Sequence, residues 1–285
     1  MNAEIADLLN LLELEPLEVN LFRGESRDVG SPQVFGGQVL GQALTAASLT
    51  VEGRVVHSLH AYFLRRGDFT APIVYQVDRS LDGNSFSNRR VVAIQHGEPI
   101  FNMAASFQRP EEGLDHQIDI PPVPSPEELP DTTTPPPEVV KHMPERLKQF
   151  FEKPRPFLFR LVPSYGPEHK PEPTRQVWFK AVSQLPDDER LHRCLLAYAS
   201  DFFLLGTSVL PHHPSKLEGR LIMTSLDHAM WFHRPLRMDD WLLYDMESPS
   251  ASGARGFARA GVFARDGRLV ATIAQEGLVR IKRGT

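Results

Sequence analysis

The sequence predicts an α+β fold of two similar halves, in which two tandem antiparallel sheets each wrap around one long buried helix. Three observations support this prediction: segments of the first half recur in the second, each half has one apolar stretch of helical length, and a proline-rich segment separates the halves. The total of 285 residues exceeds what a single hydrophobic core usually supports. We therefore predict a first domain at residues 1–110, a connector at 111–173 and a second domain at 174–285.

The clearest repeat begins at His60 and at His228, which are 168 residues apart. The run His-Ala-Tyr-Phe-Leu-Arg-Arg in the first half corresponds to His-Ala-Met-Trp-Phe-His-Arg in the second. In both halves a Gly/Ser segment, an arginine-bearing apolar strand and a glycine-centred hairpin follow, at residues 82–100 and 250–270. A repeat of this length indicates one architecture used twice.

The first half begins with an amphipathic stretch at residues 3–14, whose leucines predict a short helix docked on the body. Residues 39–48 are rich in Ala and Leu and nearly free of charge, which predicts a helix buried on all sides. Gly36 and Gly37 start this helix, where backbone N–H groups can face a ligand. Tight packing against a sheet explains the two glycines equally well. Residues 57–108 then predict four strands with short turns.

The connector is unusually rich in proline. Sixteen of the 25 prolines lie between residues 110 and 173. Because proline removes ladder donors and blocks helix propagation, we predict an extended segment along the surface, in which only residues 138–151 could hold a helix. A long crossing of this kind suits two halves that lie side by side.

In the second half, residues 191–204 predict the second buried helix. Residues 224–234 predict a single strand with Ser225 and Asp227 on one face and His228 on the other, because side chains alternate at period two. Polar groups that are buried without partners cost about 1–3 kcal/mol each, so this strand is expected to line a site. A satisfied edge strand is the alternative interpretation.

Asp201 is the strongest single candidate for chemistry. It is the one acid on the apolar stretch 191–204, so its carboxylate is expected to be desolvated, and such acids usually have a partner or a function. Capping of a neighbouring backbone is the structural alternative. The corresponding position in the first half falls near Thr45 or Ala46, neither of which is acidic. This asymmetry predicts that only one of two pseudo-symmetric sites is catalytic.

Ser225 and Gln275 are polar groups that could meet this carboxylate. His228 repeats as His60, which favours a role in the frame over a role in chemistry. Cys194 is interpreted as a small core residue rather than a nucleophile. Because no Gly-x-Ser-x-Gly motif surrounds Ser225, the sequence does not favour a serine hydrolase.

The composition excludes some classes of protein. A net charge of −5 gives no reason to expect nucleic-acid binding, and no apolar run reaches the roughly 18–20 residues that a membrane span requires. The single cysteine suits a reducing compartment, and neither terminus resembles a targeting signal, so a cytoplasmic location is expected. No Cys/His cluster indicates a metal site, and no cofactor is expected.

Six short motifs, spread over both halves, resemble those of one enzyme family. They are Val-Phe-Gly-Gly-Gln-Val at 34–39, Asp-Gly-Asn-Ser-Phe-Ser at 82–87, Ala-Tyr-Ala-Ser-Asp at 197–201, Leu-Asp-His-Ala-Met-Trp-Phe-His-Arg-Pro at 226–235, Ser-Gly-Ala-Arg-Gly at 252–256 and Gln-Glu-Gly at 275–277. Together they are similar to the acyl-CoA thioesterase II family over essentially the full chain, which implies a double hotdog fold. In that family an Asp, a Thr or Ser and a Gln orient the hydrolytic water, and by motif these roles fall on Asp201, Ser225 and Gln275.

The resemblance implies hydrolysis of a fatty acyl-CoA by direct attack of water, with no metal or cofactor. Backbone N–H groups near Arg193 or at Gly36 and Gly37 are candidates for stabilising the oxyanion, and His228 is a further candidate for substrate contact. Surface arginines are expected to meet the CoA phosphates, and the candidates are Arg89, Arg90 and Arg255. Exposed sheet edges make a homodimer or homotetramer the expected assembly.

Two other functions stay open at this point. A hotdog hydratase or dehydratase would also bind acyl-CoA, but it would use a His–acid pair such as His228 with Asp201. A non-enzymatic acyl-CoA-binding protein would bind the same ligand without releasing free thiol.

Overall fold

One antiparallel sheet dominates the computed structural model, which describes residues 2–29, 33–131, 155–163, 172–212 and 220–282. Within those residues the sheet contains thirteen strands, and every neighbouring pair of strands is antiparallel. The predicted class, α+β with a large antiparallel sheet and central helices, is confirmed.

The described part of the first half consists of two helices and six strands. They are α1 (Ala3–Leu12), β1 (Glu15–Glu18), β2 (Leu21–Gly24), α2 (Gly36–Ser48), β3 (Val55–Phe63), β4 (Ile73–Asp82), β5 (Phe86–Gln95) and β6 (Glu98–Gln108). A single 3₁₀ turn, Pro126–Glu128, follows.

The remaining elements of the described chain belong to the second half. They are β7 (Phe157–Leu161), β8 (Thr174–Ala181), α3 (Glu189–Ala199), the short α4 (Leu204–Thr207), β9 (Leu221–Ser225), β10 (Asp227–Phe232), β11 (Leu242–Ser252), β12 (Arg255–Ala264) and β13 (Leu269–Ile281). The strand order across the sheet is β1-β2-β4-β5-β6-β3-β10-β13-β12-β11-β8-β7, and β9 pairs with β13.

The two halves share one sheet, whereas the sequence predicts two separate sheets. β3 of the first half pairs with β10 of the second, with His60 opposite Ala229 and Ala61 opposite His228. Pairing these strands satisfies backbone groups that two free edges would leave exposed, which explains why the sheet continues across the halves. On the inner side, α2 packs against α3 and against strands β2 to β6 of its own half.

The second buried helix ends earlier than the sequence predicts. α3 stops at Ala199 rather than at residue 204, and Ser200 is its C-cap. Phe203 then adopts a left-handed backbone with φ +66°, which is rare for a bulky residue. Asp201 therefore lies in the turn between α3 and α4 instead of on a helix. An apolar run without Gly or Pro gives no signal for such an end.

The prediction of a single strand at residues 224–234 is wrong in one respect. The structure has two strands there, β9 and β10, with a break at Leu226. Ser225 lies opposite Gly277 of β13, and Ala229 lies opposite Ala274. Four steps along β9–β10 thus face three steps along β13, which is a β-bulge. As a result Ser225 and His228 both point to the inner side of the sheet, which strict alternation would forbid.

His60 and His228 lie on opposite faces of the sheet, so the repeat that pairs them is wrong by one position. His228 is fully buried against α3, whereas His60 is exposed and its ring meets the edge of Trp231, with ring centroids 5.2 Å apart. The hairpin glycines do match between the halves, since Gly97 and Gly267 both have positive φ, at +79° and +90°.

Part of the predicted connector belongs to the sheet. β7 lies within residues 111–173 and pairs with β8, so the second half begins before residue 174. Before it, the chain crosses the outer face of the second half, where the Trp178 indole N–H donates to the Pro124 carbonyl (3.0 Å). The helix expected at residues 138–151 falls outside the described residues.

One stretch of the described chain, Glu189–His212, is long and apolar enough by length and composition to cross a membrane. Inside the fold 67% of its most apolar window is buried, as is typical of a core helix.

Candidate active site

A carboxylate, a hydroxyl and an amide meet where the turn after α3 faces β9 and β13. The Gln275 side-chain N–H₂ donates to Asp201 Oδ1 (2.8 Å) and to Ser225 Oγ (3.0 Å). The Ser225 hydroxyl lies 3.4 Å from the same carboxylate oxygen and donates to it. Gln275 is fully buried, so its amide holds the other two groups in a fixed geometry. The structure thus brings together the three residues that the resemblance singles out.

The second oxygen of Asp201 is held by the other half of the molecule. The Gly37 N–H, in the first turn of α2, donates to Asp201 Oδ2 (3.0 Å). The residue before α2, Phe35, makes no side-chain cap, so Asp201 replaces the missing cap and meets the positive end of the helix dipole. α3, in contrast, is capped by its own Asp188.

Burial raises the pKa of Asp201 to about 6, from an ordinary value of 3.8. Desolvation is the largest influence, and the hydrogen bonds that the carboxylate accepts lower the pKa by less. Tyr198 and Tyr244 sense this charge from α3 and β11, but burial raises the pKa of both hydroxyls, so they stay neutral. A carboxylate with this pKa is ionised at neutral pH and still basic enough to accept a proton from water.

A cavity of about 380 Å³ lies beside Asp201 and Ser225, and both halves contribute to its walls. Just over half of the wall is apolar, and these residues are Val34, Phe35, Val39, Phe63, Leu64, Ile100, Phe101, Phe203, Leu205, Met223 and Leu226. The cavity can therefore hold an apolar chain with a polar group next to the carboxylate.

Two arginines, Arg65 and Arg66, line the same cavity in the loop after β3. Arg65 donates to the Pro99 carbonyl (2.7 Å) and pairs with Glu98 (3.0 Å). Arg66 is exposed and makes no ion pair with any described residue. Positive charge at the rim of an apolar cavity favours a ligand with an anionic part.

Comparisons with known proteins identify the family. Residues 158–278 match the family model described as acyl-CoA thioesterase, and residues 24–108 match the acyl-CoA thioesterase N-terminal domain. The chain is 42% identical to acyl-CoA thioesterase 2 of Haemophilus influenzae, over 98% of this chain and 99% of that protein. The chain belongs to the acyl-CoA thioesterase family.

Solved structures and a human relative agree with this membership. The crystal structure of an acyl-CoA thioesterase II from Mycobacterium marinum has a TM-score of 0.81 and 43% identity, covering 97% of this chain and 99% of that one. Human acyl-coenzyme A thioesterase 8 is 43% identical over 95% of this chain and 88% of that protein. A protein from Alicyclobacillus acidocaldarius with a hot dog fold, 19% identical and covering 96% of this chain and 98% of that one, has a TM-score of 0.76 and supports the fold alone.

The backbone groups predicted as oxyanion donors are separated in this acyl-CoA thioesterase. Gly36 lines the cavity, and a Cβ added to it would lie 2.7 Å from Asp201 Oδ2. The Gly37 N–H is already engaged by the carboxylate. Arg193 lies within α3, away from the cavity lining, where its guanidinium donates to the Val56 carbonyl and to the Glu189 carboxylate.

His228 lies beneath the site and does not line the cavity. Its Nε2 shares a hydrogen bond with the Ser200 hydroxyl (2.9 Å), and burial lowers its pKa to about 3, so the ring is neutral. Cys194 is fully buried and free, and burial raises the pKa of its thiol to about 11, which does not suit a nucleophile.

The arginines predicted to meet CoA differ in exposure. Arg89 is 1% exposed and is held by Thr50 and by Asp82 (2.6 Å), so it serves the structure of the first half. Arg90 and Arg255 are exposed, and Arg255 pairs with Glu276 (2.9 Å). None of the three lines the cavity next to Asp201.

Sequence reasoning missed three features of this acyl-CoA thioesterase. The cap that Gly37 offers to Asp201 had no local signal, because the two residues are far apart in the chain. Phe203 lines the cavity from a left-handed backbone that its residue type does not predict. The sequence pattern assigns Arg66 only to the repeat, whereas the structure places it in the cavity wall. Among the described residues, no group of three or more His, Cys, Asp or Glu side chains could hold a metal ion.

Proposed function

We propose that this chain hydrolyses fatty acyl-CoA to a free fatty acid and CoA by direct attack of water, with Asp201 as general base. The observation that carries the proposal is the contact of one desolvated carboxylate with a hydroxyl and an amide at the wall of an apolar cavity. The names of the relatives, acyl-CoA thioesterase 2 and acyl-coenzyme A thioesterase 8, support the same substrate class.

In the proposed reaction a water molecule attacks the thioester carbonyl carbon while Asp201 accepts one of its protons. The carbon–sulfur bond then breaks, and the proton on Asp201 passes to the departing CoA thiolate, so the carboxylate is regenerated. General base catalysis of this kind contributes about 10²–10⁴-fold. Ser225 and Gln275 orient the water through Asp201. Both side chains donate to Asp201 Oδ1 and so fix the direction from which the carboxylate meets the water.

The remaining parts of the substrate follow from the cavity walls. The acyl chain would occupy the apolar part between Phe35, Phe63 and Phe203. The CoA phosphates would meet Arg65 and Arg66 at the rim, in place of the arginines named from the sequence. For the oxyanion we retain the backbone N–H of Gly36 at the start of α2, since the Gly37 N–H already serves Asp201.

The contacts of His228 do not favour the hydratase alternative. A His–acid pair requires the imidazole ring of His228 to reach Asp201. The ring instead hydrogen-bonds the Ser200 hydroxyl, and its pKa of about 3 keeps it uncharged at neutral pH. A double hotdog fold is supported by the two buried helices, one in each half of the sheet, and by the hot dog neighbour. A cytoplasmic location and assembly into a homodimer or homotetramer stay predictions.

Turnover of a series of acyl-CoA substrates, measured as release of free thiol, tests the proposal. We expect Asp201→Asn to lower kcat by at least about 10³-fold, and Ser225→Ala and Gln275→Ala to lower it by about 10–100-fold. Asp245→Asn is the matched control, because burial also raises the pKa of the Asp245 carboxyl, yet this side chain bonds Gln176 (2.9 Å) outside the cavity.

Three outcomes would contradict the proposal. Binding of acyl-CoA without thiol release would favour a binding protein. Full activity of the Asp201 variant would remove the general base. Loss of all turnover in His228→Ala, with Asp201→Asn still active, would favour the His–acid mechanism.

A further inference from the structure

The bulge between β9 and β10 is closed by a side chain. At a bulge one strand has an extra residue, and the backbone ladder loses a partner at that point. Here the Glu276 N–H of β13 donates to Asp227 Oδ1 (2.7 Å), while the Glu276 carbonyl accepts from the Leu226 N–H (2.9 Å). The Asp227 carboxylate therefore takes the place of the missing backbone acceptor.

The peptide that Asp227 holds belongs to the catalytic strand. Glu276 follows Gln275 directly, and the Gln275 side chain bonds both Asp201 and Ser225. Ser225 ends β9 immediately before the bulge and points inward only because the bulge changes the alternation. One hydrogen bond thus fixes the backbone on both sides of the polar cluster.

We propose that Asp227 is a positioning residue for hydrolysis: its carboxylate sets the register of β9 against β13 and so holds Ser225 and Gln275 at Asp201. Asp227 is not part of the cavity wall, so it acts through these residues and does not touch the substrate. The inference rests on the proposed function, since it assigns a role within the same site.

The charges around Asp227 are consistent with a structural acceptor. Asp227 is half-buried, and burial raises its pKa, with the neighbouring Glu276 carboxylate adding to the effect. The ion pair between Arg255 and Glu276 (2.9 Å) offsets the negative charge of the Glu276 carboxylate. The hydrogen bond from the Glu276 N–H lowers the pKa of Asp227 by less than burial raises it, so we expect a neutral side chain with an acceptor oxygen here to serve as well as a carboxylate.

Three substitutions of Asp227 separate these properties. Asp227→Ala removes the acceptor, and we expect kcat to fall about 10–100-fold with KM changed less than about threefold, because small displacements of orienting groups cost this much. Asp227→Asn keeps the acceptor oxygen and is expected to recover kcat to within about threefold of the unmodified chain. Asp227→Glu keeps the charge but displaces the oxygen, so we expect a loss of at least about tenfold.

The pH profile provides a readout that a loss of general stability would not change, and hydrogen exchange at the Glu276 amide, compared with the other amides of β13, shows whether the change is local. The hydrogen bond from Gln275 lowers the pKa of Asp201, so a displaced Gln275 should move the acid limb of kcat to higher pH by about half a unit or more in Asp227→Ala. The Glu276 amide should exchange its hydrogen faster in that variant. Asp245→Ala, a matched half-buried strand carboxylate, should change neither readout.

The outcomes distinguish this inference from the proposed function. If Asp201→Asn and Gln275→Ala lower kcat as expected but Asp227→Ala keeps kcat and the acid limb, only the positioning role is wrong. Activity of Asp227→Glu close to that of the unmodified chain would show that charge matters and the hydrogen bond does not, and would also overturn it. This last variant keeps the test decisive if Asp227→Ala does not fold. Insensitivity of turnover to Asp201→Asn would instead remove the proposed function itself.

Discussion

Asp201 carries its charge in a buried position, where the loss of hydration destabilises the ionised form. Desolvation in the turn after α3 raises its pKa, and three hydrogen bonds, from Gln275, Ser225 and the Gly37 amide, return only part of the hydration it has lost. The carboxylate is therefore a better base than one in water, at the cost of local stability. This balance suits the role in proton transfer that we propose for Asp201.

The pH dependence of turnover follows from that pKa. Because the base acts only when deprotonated, we expect kcat/KM to rise about tenfold per pH unit up to about pH 6 and to level off above it. The measurement is the initial rate between about pH 4.5 and 8.5, followed through the thioester absorbance because thiol reagents are themselves pH-sensitive.

The residual rate of Asp201→Asn is the control, since it should show no acid limb near pH 6. A rate that stays flat from about pH 5 to 8, or falls as the pH rises through 6, would contradict Asp201 as the base.

At this scale the sequence named Asp201, Ser225 and Gln275 from their types and motifs, and the structure brings them within hydrogen-bonding distance. It could not give the face of His228, because the bulge changes which side chains point inward. It also could not give the Gly37 cap, which depends on how the two halves dock.

The start of α2 is shaped around the carboxylate of the other half. A Cβ on Gly36 would lie 2.7 Å from Asp201 Oδ2 and 3.1 Å from the Phe63 ring, so it would meet a side-chain tip in the cavity. A Cβ on Gly37 would instead collide with the Tyr198 backbone oxygen and the Phe35 ring. Of the two explanations that the sequence left open, Gly37 fits close packing and Gly36 fits an open site.

We therefore expect Gly36→Ala and Gly37→Ala to have different effects on activity and stability. Gly36→Ala should lower kcat about 100-fold and leave Tm within a few degrees, because only the carboxylate tip has to move. Gly37→Ala should lower both, since α2 must move away from α3. The measurements are kcat and Tm on the same preparations.

Gly41→Ala is the matched control within α2. A Cβ there would be 3.3 Å from the Cys194 carbonyl and 3.1 Å from the Leu12 side chain, outside the cavity, so kcat should change less than about twofold. Equal effects of all three substitutions on kcat would contradict the assignment of Gly36 to the site.

The elements themselves could largely be predicted from periodicity. The buried helix α2, the amphipathic α1 and the strands of both hairpins appear where the apolar pattern placed them. The errors fall at the end of α3 and at the break between β9 and β10. In both places a tertiary contact ends the element: Asp201 turns away to meet Gly37, and Asp227 replaces a backbone acceptor.

The described residues form two similar halves, and the proposed catalytic carboxylate belongs to the second of them. Thr50 and Asp201 are equivalent, since each is the second residue after a buried helix, α2 or α3. The Thr50 position differs from the Thr45 or Ala46 estimated from the sequence, because that estimate counts from the helix start, and α3 begins at Glu189 rather than at residue 191 and is shorter than α2. In the first half the buried Arg89 guanidinium bonds Thr50, and Arg193 bonds the Val56 carbonyl, so the equivalent region is filled by structural side chains.

The shared sheet makes the halves dependent on each other. Residues 1–131 expressed alone would expose the β3 edge and the face of α2 that packs on α3. We expect this fragment to aggregate or stay unfolded, and to become soluble and active only when co-expressed with residues 155–285. Size-exclusion chromatography and thiol release measure both effects; a monomeric, cooperatively folded 1–131 fragment would contradict the prediction.

The hydrogen bond between Gly37 and Asp201 has a pharmacological consequence. It links the proposed base in one half to the helix of the other, so we expect a shift of about one ångström between α2 and the turn after α3 to lower activity while both halves stay folded. A small molecule that binds between α2 and α3 beside Phe35 and Tyr198, whose ring centroids are 5.3 Å apart, would therefore inhibit turnover without resembling a thioester.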